Sequence, residues 1–99
     1  MKQRIENQVV ITCNDVDLTT LSNLEVYIKQ SHLFYQYAPD VKSSSEMLVT
    51  IPYEDAMHLK SHDVELQFAF TYPDGTHDAS NVVIVPVDKL LKEAGYDPN

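Results

Sequence analysis

DVELQFAFTY, residues 63–72, decides the class of fold. Val64, Leu66, Phe68, Phe70 and Tyr72 fall on one side of an extended chain, and Glu65, Gln67 and Thr71 on the other. A period of two is what a pleated strand requires when one face meets a core and the other is wetter. The same rhythm recurs in both directions from this stretch. In NLEVYIKQ (23–30) Leu24, Val26 and Ile28 point inward, with Glu25, Tyr27 and Lys29 outward. HLFYQY (32–37) follows after a short polar link, so 23–37 reads as a hairpin.

EMLVTI (46–51) and QVVITC (8–13) are further strands, and a last one is expected over 78–86. That last strand, around NVVIVPV, is apolar on both sides until Pro86, which a strand end or edge tolerates but a central ladder does not. Six strands at about 8–13, 23–30, 32–37, 46–51, 63–72 and 78–86 predict an all-β, immunoglobulin-like antiparallel β-sandwich forming one domain over 1–99. Two segments break the pattern. PYEDAMHLKSH (52–62) opens with proline and two acids, which suits one or two helical turns. VDKLLKEAG predicts a short helix over about 88–94, with Asp88 as N-cap, Leu90, Leu91 and Ala94 on one side, and Gly95 as the stop.

The 99 residues carry seven basic and fifteen acidic side chains, a formal charge of −8. Nucleic-acid binding relies on Lys and Arg displacing counterions from phosphates, so this balance argues against DNA or RNA as partner, and against anionic membrane surfaces. Cys13 is the sole cysteine, so no internal disulfide can form; it reads as a small apolar strand residue. MKQRIENQVV has no apolar signal core and no run reaches membrane-spanning length, so a soluble, unexported protein is expected.

FTYPDGTHDAS (70–80) poses a choice between a metal loop and a turn. Pro73 presets φ, Asp74 tolerates the second turn position, and Gly75 supplies φ > 0, so backbone geometry alone accounts for the stretch. Asp74, His77 and Asp78 fall short of the oxygen count that calcium wants. His58 and His62 are four apart, but the segment is at most half helical and lacks the Glu of a zinc helix. NDVD (14–17) alternates oxygen ligands like the start of a calcium loop without its glycine and distant Glu. No nucleophilic triad, phosphate loop or paired-carboxylate motif is present. No catalytic residue, metal ligand or cofactor is therefore assigned, and a non-enzymatic protein is expected. The aromatics Tyr27, Phe34, Tyr35 and Tyr37 cluster on the 23–37 hairpin, on both of its faces. One face fills the core and the other leaves aromatics outside, which marks a candidate assembly surface, joined by Leu90 and Leu91 at the C-terminus.

Asp17-Leu18-Thr19, Lys29-Gln30, Glu54-Asp55, Leu59-Lys60, Val64 to Gln67, Asp74-Gly75, Ser80 and Leu90-Leu91 together resemble a family of small phage and prophage proteins of Gram-positive bacteria. The resemblance spans 15–91, and Pro52-Tyr53 stands where the family often has a polar pair. It implies a β-sandwich similar to the N-terminal module of some baseplate proteins, located in the virion or the host cytoplasm. Its role would be structural, through a protein partner or self-association, with no catalytic residues to carry over. Two rival expectations are a small-ligand or carbohydrate-binding module, which a calcium-dependent stability would favour, and an acidic phage-encoded regulator of a basic host surface.

Overall fold

The computed structural model describes residues 1–2 and 5–88. Within them run β1 (Asn7–Thr12), β2 (Ser22–Gln30), β3 (Leu33–Tyr37), β4 (Asp40–Val41), β5 (Glu46–Ile51), the single helical turn α1 (Tyr53–Ala56), β6 (Val64–Thr71), β7 (His77–Ala79) and β8 (Val83–Val85). All pairings between these strands are antiparallel. They form a smaller sheet in the order β1-β5-β4 and a larger one in the order β3-β2-β6-β7, with β8 pairing β6 further along.

Alternation builds the core. Val26, Ile28, Val64, Leu66, Phe68 and Phe70 line the inner face of the larger sheet, and Met47, Val49 and Ile51 that of the smaller; all are buried in one cluster. Each such side chain, taken out of water, contributes roughly 1.5–3 kcal/mol toward offsetting chain entropy. Leu18 joins the cluster from a 3-10 turn over Leu18–Thr20, as do Ala56, Leu59 and Val87 from elsewhere in the chain. Asp17 starts that turn: its Oδ1 accepts from the Thr19 N–H at 3.0 Å and the Thr19 hydroxyl at 2.6 Å. These bonds hold the exposed carboxyl below its usual range, and they give the NDVD stretch a capping role.

The expected strands are present with their inward faces as read, and the differences lie at their ends. The strand expected over 78–86 is divided, because the chain leaves the ladder between Ala79 and Val83. Ser80 sits at the break: its N–H donates to the Phe68 carbonyl at 2.8 Å, while its hydroxyl accepts from the Phe68 N–H at 3.0 Å. The register accordingly shifts by one between Phe70↔Asp78 and Leu66↔Val83, as a bulge does. The 3-10 turn and β4 were not expected; both are too short to show a periodicity. PYEDAMHLKSH yields the one turn α1, which buries Ala56, with Leu59 buried just after it. The helix expected over 88–94 lies outside the described residues beyond Asp88; Asp88 itself forms a parallel bridge with Lys2.

Gln30 is a polar residue with 4% exposure at the end of β2. Its Nε2 donates to the carbonyls of Lys60 (3.0 Å) and His62 (3.1 Å), and its Oε1 accepts from the Lys60 N–H at 2.7 Å. One amide thus does for the 60–62 segment what a neighbouring strand would do, and satisfies groups that burial would otherwise penalise.

β3 passes to β4 through only two residues, so the two sheets share that edge. β7 and β8 lie end to end along β6, on the side away from β2, making the larger sheet four strands wide against three. At the edge away from β3 and β4 the larger sheet therefore extends one strand beyond β1.

Candidate interaction face

The outer face of the larger sheet carries the side chains that alternation turns away from the core. Register sets their neighbours. Phe34 is opposite Lys29, Lys29 is opposite Glu65, and Glu65 is opposite Ile84, so these four cross the sheet in one row. Gln36, Tyr27 and Gln67 form the next row. The Tyr27 and Phe34 rings meet on the diagonal between rows, with centroids 5.7 Å apart and planes 24° from parallel. An offset stack of this kind contributes about 0.5–1.5 kcal/mol beyond area burial.

Tyr27 is held in place by its hydroxyl, which donates to the Glu25 carboxylate. That bond keeps the phenol protonated and moves its pKa up, with smaller contributions from burial and the Glu25 charge. Beside the stack, Tyr27, Lys29, Phe34, Glu65, Gln67 and Val82 enclose a shallow hollow of about 120 Å³. Phe34 is 59% exposed, Val82 51% and Ile84 57%. Apolar side chains open to water to this degree are unremarkable singly; together on one sheet face they form the kind of patch that marks a contact surface.

The four hairpin aromatics therefore divide. Tyr27 and Phe34 lie on the outer face. Tyr35 and Tyr37 point the other way, half-buried against the core with centroids 6.3 Å apart. The Tyr37 hydroxyl donates to Asp55 Oδ2 at 2.7 Å, tying β3 to α1. Burial, then the bond to Asp55 and its charge, drive the Tyr37 pKa far upward. Tyr35 and Tyr37 thus serve packing, for the reason that residue parity on β3 assigns them to the inner side. Leu90 and Leu91 lie outside the described residues. No family model, curated protein or solved structure matches the chain.

Val82 and Ile84 join the patch without having been singled out in the sequence. Their signal was the two-sided apolarity of NVVIVPV: a strand with one wet face has no need of an outward Ile.

The polar candidates are engaged locally. Asp74 Oδ1 accepts from the Thr76 N–H at 2.9 Å, and the Thr76 side chain first, then this N–H, lowers the Asp74 pKa. His77 Nδ1 lies 2.9 Å from the Thr71 hydroxyl, and Asp78 accepts from the Ala79 N–H at 2.8 Å and from the Tyr72 hydroxyl at 3.3 Å. The turn closes through the Gly75 N–H to the Tyr72 carbonyl (2.9 Å) and the Tyr72 N–H to the Thr76 carbonyl (2.8 Å), with Gly75 at φ 89°. His58 and His62 are exposed and flank the buried Leu59, past the end of α1. Among the described residues, no three His, Cys, Asp or Glu side chains are grouped to hold a metal ion. Likewise, no described helix is long and apolar enough to cross a membrane.

Proposed function

We propose that this protein is a non-enzymatic interaction module that docks through the outer face of its larger sheet. The observation that carries this reading is the exposure of Phe34, Val82 and Ile84 on one sheet face, with Phe34 stacked on Tyr27 and the Lys29–Glu65 pair crossing between Phe34 and Ile84. Docking on a flat apolar face of another protein, or of a second copy, removes that surface from water at about 25 cal/mol per Å². The sequence resemblance supplies a setting, a phage or prophage structural component built as an immunoglobulin-like sandwich, and supports a structural rather than a catalytic role.

The test is the solution mass by light scattering over a range of concentrations, for the native chain and for the double variant Phe34→Ser with Ile84→Ser. Phe34→Ser forfeits the ring stack on Tyr27, so the variant is expected to unfold at a lower denaturant midpoint, a loss of about 1 kcal/mol, while remaining folded in water. A discrete native oligomer that the variant loses identifies self-association; a native monomer directs the search to a different partner, to be captured by the native chain and not by the variant. Association unchanged in the double variant would remove the outer face from consideration.

A further inference from the structure

The larger sheet's overhang leaves a cleft of about 520 Å³ beside the end of β1. Thr12, Cys13 and Asp15 form one wall, Phe70 and Tyr72 the floor, and Ala79 and Val83 the far side. The Phe70 and Tyr72 rings stand edge to face, 5.1 Å apart. Val83 belongs to the inner face by register, yet it is 51% exposed because no strand of the smaller sheet lies above it.

β1 is the edge of the smaller sheet next to this cleft, with β5 its sole neighbour among the described strands. The Cys13 N–H donates to the Ser45 carbonyl at 2.7 Å, and the β1–β5 register runs on from that pair without a shift. In an antiparallel ladder bonded and non-bonded pairs alternate, so Asn7, Val9 and Ile11 also bond toward β5. Gln8, Val10 and Thr12 then direct their N–H and C=O groups away from it, toward the overhang. Nothing on NQVVIT defends this edge: it holds no charge, no proline and no bulge, and Val10 is 59% exposed.

We infer that this side of the molecule receives one extended segment of another polypeptide, which pairs with the edge of β1 that faces away from β5 and sets alternate side chains into the cleft against Phe70 and Val83. The backbone groups of Gln8, Val10 and Thr12 supply the hydrogen bonds; Phe70, Tyr72 and Val83 favour apolar residues at every second position, and Asn14, Ser80 and Asn81 make the rest of the cleft polar. Width limits the occupant to a single strand. A second copy pairing through its own β1 would bring its larger sheet into the space that β7 and β8 already fill. Charge sets the ends: with Asp15 at the cleft wall and a net charge of −8, the segment carries lysine or arginine there. This site is separate from the outer face, and it stands or falls without it.

The experiment is amide hydrogen exchange by NMR on the full chain, with and without the acetylated peptide Lys-Thr-Val-Thr-Val-Thr-Val-Thr-Lys at about 1 mM. In the free protein the Gln8, Val10 and Thr12 amides exchange fast while Val9 and Ile11 are protected. Peptide slows the first three by about tenfold or more and leaves the other two unchanged. Val10→Pro removes one outward donor without touching a β5 bond, and it abolishes the effect. Val83→Lys, an exposed substitution under the added strand, weakens binding at least tenfold should the proline variant fold poorly. Slow exchange at the three amides in the free chain, from residues 89–99 or from a second copy, overturns the inference. So does an absence of change with peptide, or binding that Val10→Pro and Val83→Lys leave intact.

Discussion

Replacing Gln30 with alanine deletes an amide that makes three hydrogen bonds to the 60–62 backbone from a buried position. Lys60 and His62 are exposed, so water recovers part of the loss; urea unfolding should show a cost of about 2 kcal/mol. Tyr37 makes a different kind of prediction. Burial and the Asp55 carboxylate both oppose its tyrosinate, so the folded chain holds the proton more tightly than the unfolded chain, whose phenol titrates near 10. The stability this gives is complete below pH 10 and is lost as pH climbs above it. Tyr37→Phe should therefore flatten the alkaline limb of the stability profile while leaving the limb below pH 10 unchanged in shape. Neither role was legible in the sequence. Gln30 and Tyr37 are ordinary strand residues until the fold brings up loop 60–62 and α1, thirty and eighteen positions away.

Strands were legible because a single observable, the side on which each residue falls, is fixed by the pleat and repeated over five to nine residues. β5 follows it residue by residue, β2 does so after a bulge at Asn23 (φ 52°) and β6 up to the buried Thr71, and the inward placement of Tyr35 and Tyr37 follows once the β2–β3 register is known. β4 is two residues long and gives no period; β7 and β8 read as one strand because the hydroxyl of Ser80 replaces a backbone acceptor at the break. Turns divide the same way. Gly75 announced its positive φ, whereas Ser31, at φ 52° in the two-residue β2–β3 connection, did not. With positive φ at the first central residue only, that connection has the φ signs of a type II′ turn, whose preferred first residue is glycine. Ser31→Gly should raise stability by about 0.5 kcal/mol, read as a higher denaturant midpoint at unchanged slope, while Gly75→Ala should lower it by about 1 kcal/mol. An alanine methyl at Gly75 would meet no atom within 4 Å, so that loss is conformational and not steric crowding.

The whole molecule joins a strongly acidic surface to an outer face where exposed Phe34, Val82 and Ile84 sit among Glu25, Lys29 and Glu65. If two copies meet through that face, each brings a charge of −8, and their mutual repulsion opposes the contact. Raising ionic strength from about 0.02 M to 0.3 M shortens the screening length from roughly 20 Å to 6 Å, so the apparent dimerisation constant should rise with salt. A partner with a basic rim gives the opposite trend, so a salt series of the light-scattering measurement separates the two kinds of neighbour.

Because β1 pairs with β5, and β2 with β6, neither sheet closes while the chain is still short. The β2–β3 hairpin and then the short β4–β5 pairing form from adjacent sequence early. During synthesis β1, with Val9, Val10 and Ile11, leaves the ribosome and waits about forty residues for its neighbour, a few seconds at roughly 5–20 residues per second. A further link, from the Asp88 N–H to the Met1 carbonyl, joins residues 87 positions apart. Throughout that interval the N-terminal strand is a ready ligand for chaperones, and slowing translation after β3 should lengthen its exposure in step.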